Sequence, residues 1–173
     1  GRMISESALA AIGQIFPIYF IIIALGVGLS IGTTSLIANS IGGNNIEYSG
    51  KIFSQSFLLS IIVSLIISIM GIYFSPNIIS TINNDPETLK LSIKYINIIF
   101  IGSIFIFLLM SVNSSLSAQG DTKSYRNVLI FSFVLNIALN PILISGKIYN
   151  YQIFVPMGIE GIAYATIISQ FIG

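Results

Sequence analysis

Cysteine and histidine are absent from this sequence, and charge is scarce: 7 Lys or Arg and 6 Asp or Glu among 173 residues. Without cysteine there are no disulfides, and without histidine the commonest metal ligand and the usual general base are both missing. Charged residues make up 8% of the chain, against roughly 25% in an average soluble domain. So few charges cannot cover a solvated surface of this size. A net charge of +1 with no cluster of Lys or Arg offers nothing to neutralise a phosphate backbone, so nucleic acid is not a partner. What is there is apolar, 54% of the residues, with a mean hydropathy of +0.94. Such a composition excludes a soluble enzyme and a disordered tail and leaves an integral membrane protein.

The few charges then mark where the chain meets water, because a charge at mid-bilayer costs a few kcal/mol and about 20 apolar residues suffice to cross. Uncharged stretches of 40, 33, 26 and 20 residues lie between Glu6 and Glu47, Lys51 and Asp85, Lys94 and Asp121, and Arg126 and Lys147. The pattern predicts an all-α polytopic bundle with spans at about 7–39, 51–75, 86–118, 127–145 and 158–173, the last one incomplete. Gly1 in place of Met, and a final residue inside an apolar run, predict a piece of a longer chain with no removable leader.

Local signals refine these spans. The first is longer than a bilayer core of roughly 30 Å requires, so it must tilt, bend or project, with Pro17 the expected bend. Gly42-Gly43-Asn44-Asn45 reads as a tight turn, and Pro76 as the stop of the second span. After a polar connection, Asp85-Pro86-Glu87 is a helix start: Asp caps, Pro fits the first turn and Glu meets the positive end of the dipole. Lys90 and Lys94 are expected at the headgroups, and Gly120-Asp121-Thr122-Lys123 forms the next turn. Beyond Lys147, the rings of Tyr149, Tyr151 and Phe154 suit a membrane interface, and Pro156 closes the connection. Orientation stays open, since Arg2, Lys90, Lys94 and Lys147 on one side face Lys51, Lys123 and Arg126 on the other.

In lipid, helices pack through small residues that let backbones approach. Gly28 and Gly32, then Ser56, Ser60, Ser64 and Ser68, then Gly161, Ala165, Ser169 and Gly173 form such stripes and are expected at helix contacts. The fourth span differs. Ser132, Asn136 and Asn140 recur every fourth residue with Pro141 directly after. An unpaired amide in hydrocarbon is costly, so this stripe either lines a water-accessible cavity or braces the bundle by bonding to neighbouring helices. Gln14, Gln55, Asn97 and Asn113 are single amides that read as structural. No acid lies deep in a span, and Ser114-Ser115 has no base beside it, so no enzymatic activity is expected. Any carboxylate that couples transport to an ion is expected outside these residues.

Several strings in order along the chain resemble the multidrug and toxic compound extrusion (MATE) transporters. Gly1-Arg2 with Ala8-Leu9-Ala10-Ala11-Ile12-Gly13 is similar to the start of that family's second helix, Gly42-Gly43-Asn44 to the loop after it, and Ala118-Gln119-Gly120-Asp121-Thr122-Lys123 to the loop before the fifth. Asn136 to Pro141 resembles the fifth helix, and Gly158-Ile159-Glu160-Gly161-Ile162-Ala163-Tyr164-Ala165-Thr166 the start of the sixth.

The resemblance implies helices two to six of the first lobe of a two-lobe, twelve-helix exporter. Such a protein is multi-pass in a cell membrane, here a bacterial inner membrane. It moves organic cations, drugs or amphipathic compounds by alternating access in exchange for protons or sodium, without another cofactor. Its partners are the bilayer and the rest of its own chain, the first helix and the C-terminal lobe. The loop assignment puts Lys51, Lys123 and Arg126 in the cytoplasm. The family's first-lobe cation site falls on Asn136, Asn140 and Thr166, with Ser132 in the cavity wall, and Asn140 stands where the pattern has Asp. An amide still offers a carbonyl oxygen to sodium but cannot exchange a proton near neutral pH. Two alternatives are a lipid-linked saccharide flippase of the same superfamily, which calls for Lys or Arg in its cavity, and a membrane scaffold that transports nothing.

Overall fold

The computed structural model describes residues 5–82, 85–148 and 151–173. Gly1, Arg2 and Tyr149 therefore lie outside the described residues. The chain forms helices α1 (Glu6–Gly42), α2 (Ile46–Ile82), α3 (Pro86–Ala118), α4 (Thr122–Ser145) and α5 (Ile159–Ile172). A two-stranded antiparallel hairpin, β1 (Lys147–Ile148) and β2 (Tyr151–Gln152), separates the last two. Helices α1 to α4 are each long and apolar enough to cross a membrane.

Three helix starts carry the caps that their sequences call for. The Ser5 hydroxyl accepts from the Ala8 amide at 3.2 Å. Asp85 accepts from the Thr88 amide and hydroxyl at 2.9 and 2.6 Å, and Asp121 from those of Ser124 at 3.0 and 2.6 Å. The side-chain and then the backbone hydrogen bonds hold both carboxyls below the usual carboxylate range. A lowered folded value means that the cap is present above the ordinary carboxylate range and is lost as pH falls through the lowered value. Amide exchange at Thr88 and Ser124, corrected for intrinsic rates, should therefore accelerate only at acid pH, and Asp121→Ala should give the fast Ser124 rate already at neutral pH.

Helix α3 is the centre, packing on α1, α2 and α5. Ile15 and Ile22 from α1, Ile79 from α2, Ile96, Ile99, Phe100 and Phe107 from α3 and Ala163 from α5 close into one buried cluster. Because lipid competes for apolar contact as well as protein does, polar bonds and close approach must add specificity. Hydroxyls supply the first: Thr33 donates to Ser56 at 3.0 Å between α1 and α2, and Ser30 and Ser114 pair at 2.9 Å between α1 and α3. The Lys94 ammonium donates to the Glu160 carboxylate at the α3–α5 boundary.

One expectation fails here. The second span does not stop at Pro76; α2 continues through it to Ile82. Proline leaves the carbonyl four residues earlier without a donor, and the Ser75 hydroxyl lies 3.3 Å from that Ile72 oxygen and 3.0 Å from Asn97 Oδ1. A neighbouring hydroxyl that re-satisfies the freed carbonyl is how membrane helices tolerate proline. Helices α1 and α4 likewise run on through Pro17 and Pro141. Gly28 and Gly32 meet no neighbouring helix among the described residues, since a Cβ on either would find nothing within 4 Å. The close approach on α1 is at Gly26, against Met110 and Phe107 of α3. The serine stripe holds, with Ser60 and Ser64 each 1% exposed.

Candidate functional site

Helix α4 lies at the margin of the bundle. It packs chiefly on α5, and Ser132 is its one buried residue. The small-residue stripe of α5 makes that contact: Gly161 lies against the Leu143 and Ile144 backbone, and Gly173 against Ser132 and Val128. A Cβ on Gly161 would stand 2.7 Å from the Leu143 carbonyl carbon and oxygen, so the two backbones approach where only glycine fits.

That approach brings the polar stripe of α4 onto α5. Asn140 Nδ2 donates to Asn136 Oδ1 at 2.9 Å, and Asn136 Nδ2 in turn donates to Thr166 Oγ1 at 3.5 Å. The Thr166 hydroxyl donates to the Ile162 carbonyl at 3.0 Å, which leaves its lone pairs turned toward Asn136. Asn136, Asn140 and Thr166 thus form one chain of hydrogen bonds across the helix pair. At one end of it Asn140 Oδ1 is buried without a partner, and elsewhere on the same face Ser132 Oγ is too. Unmade bonds of this kind are costly in a protein interior, and Gln14 Oε1, Ser92 Oγ and Ser111 Oγ are buried in the same state elsewhere.

The Asn140 and Ser132 oxygens belong to different places. Eight residues of helix separate them, about 12 Å along the axis, too far for one small ion to touch both. Asn140 Oδ1 sits with Asn136 and Thr166 at one end. Ser132 lines a pocket of about 360 Å³ together with Leu129, Phe133, Asn136, Thr166, Ser169 and Gln170. Asn140 is not in that wall. Ser169 and Gln170 escaped the reading of the sequence, the first because it fitted a packing stripe. For Gln170 the signal was available, since it lies one turn beyond Thr166 on the same face.

No Lys, Arg, Asp or Glu lines this pocket, so its surface is neutral, apolar at the Leu129 and Phe133 edge and rich in hydroxyl and amide oxygens elsewhere. Hard monovalent cations favour such oxygens. Among the described residues no group of three or more acids or other strong metal ligands is gathered anywhere.

Residues 1–142 match the family model described as MatE. The chain belongs to the MatE family. Relatives agree along almost all of it: a probable multidrug resistance protein, YoeA, of Bacillus subtilis (strain 168) is 31% identical over 169 residues, 98% of this chain and 36% of the relative. A protein named FAD transporter, of Shewanella oneidensis, is 28% identical over 166 residues, 96% of this chain and again 36% of the relative. Among solved structures, an outward-facing multidrug resistance MATE family transporter of the MOP superfamily superposes with a TM-score of 0.88 at 30% identity, over 98% of this chain and 36% of that one. The chain thus spans about 36% of the length of the relatives it matches. With four membrane-crossing helices and bacterial MatE relatives, it is a multi-pass cell-membrane protein.

Proposed function

We propose that this MatE chain forms helices two to six of the first lobe of a twelve-helix exporter. That exporter moves organic cations or amphipathic compounds outward in exchange for sodium or protons by alternating access. Names of multidrug resistance and export proteins among the relatives support the transport class. The observation that carries the site is the Asn136–Asn140–Thr166 chain, with its unpartnered Asn140 carbonyl oxygen buried between α4 and α5. Three neutral oxygens there form part of a shell for a dehydrated cation, with Asn140 Oδ1 free to turn onto it. Further ligands come from the part of the protein outside this chain.

The chemistry of each residue follows from its atoms. Asn136 holds its neighbours in register, since it accepts from Asn140 and donates to Thr166. Thr166 offers its hydroxyl oxygen while its own proton stays on the Ile162 carbonyl. None of the three titrates near neutral pH, so occupancy here answers to sodium and not directly to protons. The adjoining pocket, with Ser132 and Gln170 as hydrogen-bonding groups, suits a cationic or neutral substrate. An anionic headgroup such as that of a lipid-linked saccharide finds no Lys or Arg among the pocket's residues.

The test is made on the full-length protein in proteoliposomes. Thr166→Val removes one oxygen while keeping the shape, and Asn136→Ala cuts the chain in the middle. Loss of one such bond amounts to roughly tenfold in affinity. Each variant should therefore raise the sodium concentration needed for half-maximal efflux by about that factor. An unaltered sodium dependence in both would refute the site.

A further inference from the structure

The connection between α4 and α5 is the one stretch of described backbone that is neither helix nor tight polar turn, and its side chains are unlike those of the other connections. Gly43-Asn44-Asn45 and Gln119-Gly120-Asp121 are short and polar. Between Gly146 and Gly158, by contrast, Tyr151, Ile153, Val155 and Met157 stand 79%, 57%, 81% and 40% exposed. Every second residue here is large, apolar and left out of the packing. Phe154, expected from the sequence to face the interface, is instead half-buried, and Gln152 folds back to donate to its carbonyl at 2.9 Å.

The segment is held firmly in this posture. Gly146, at φ 67° where only glycine is unstrained, accepts from the Ile153 and Phe154 amides at 2.9 and 3.3 Å. At the other end the Met157 and Gly158 amides donate to the Leu143 and Ile144 carbonyls at 3.2 Å, which otherwise have no partner at the end of α4. Four exposed apolar side chains on a pinned backbone are a presented surface.

Its depth is fixed by the charges around it. The segment joins the ends of two membrane helices, with exposed Lys147 at its start, in no ion pair among the described residues, and the Lys94–Glu160 pair just beyond its end. Those groups place it at the level of the headgroups, where aromatic and aliphatic side chains can dip into the acyl boundary while ammonium groups stay wet. We propose that residues 151–157 form an interfacial anchor, seated on the phospholipid headgroup–acyl boundary of one leaflet. With it the outer ends of α4 and α5 are kept at a fixed depth. Lys147 adds attraction to anionic headgroups.

The experiment is a spin-label scan of the full-length protein in phospholipid vesicles, with single Cys introduced at positions 151 to 157 in a background whose other cysteines have been replaced. Tyr151, Gln152, Ile153, Val155 and Met157 are exposed, and labels there leave the fold intact. We expect labels at Ile153 and Val155 to be relaxed more by oxygen than by a water-soluble nickel chelate, at a shallow depth, and the Gln152 label to show the reverse preference. Greater nickel access at Ile153 and Val155 would place the segment in water and overturn the anchor. Shielding of both from both reagents would overturn it equally, because the occupant would then be the rest of the polypeptide.

Discussion

Gly161→Ala should force α4 and α5 apart. The added Cβ would fall 2.7 Å from the Leu143 carbonyl atoms, and a backbone group cannot turn away as a side chain can. Overpacking against an unyielding neighbour costs about 3 kcal/mol, more than a hundredfold in an equilibrium. Helix α4 has few other contacts to hold it, so its separation from α5 should appear both as lower stability in a detergent unfolding titration of the full-length protein and as lost efflux. Gly28→Ala and Gly32→Ala, which touch neither α4 nor α5, give the effect of a methyl elsewhere on the chain for comparison. Equal effects at all three positions would mean that α4 and α5 do not meet at Gly161.

Asn140→Asp should create a pH dependence that the native site lacks. An aspartate carboxyl in that place binds and releases protons, which the amide cannot do. Protons then compete with sodium for the same oxygen. In the variant the sodium concentration for half-maximal efflux should rise steeply as pH falls, while in the native protein the part set by this site stays flat, because an amide does not titrate. Efflux measured across imposed pH steps at several sodium concentrations decides it; identical pH profiles for the two proteins would remove Asn140 from the coupling site.

Both effects trace back to features of unequal legibility. The gaps between charges gave the number of helices and their approximate bounds, because the penalty for a buried charge in lipid is large enough to act on sequence directly. Ser132, Asn136 and Asn140 share a face by spacing alone. Thr166 has no such signal, being one threonine in an apolar helix; the family resemblance singled it out, and the hydrogen bond to Asn136 depends on how α5 lies against α4. The stop expected at Pro76 failed because a helix in a membrane can run on through proline, as α1 and α4 also do at Pro17 and Pro141. For Gly28 and Gly32, spacing tells which residues share a face, not which face meets a neighbour. The hairpin at Lys147–Gln152 is too short for periodicity to register.

The bond from Asn140 to Asn136 has a consequence for how the protein is made. Chain synthesis delivers α4 before α5, so Asn136 and Asn140 reach the membrane with Thr166 not yet in place. An unpaired amide there is expensive. Because the two amides sit four residues apart on one helix, each half-satisfies the other without any partner, and the ribosome can release α4 into the bilayer with its polar cargo already sheltered. Moving Asn136 by one residue would leave the same composition and hydropathy, yet expose both groups at the moment when the nascent helix must choose between membrane and water.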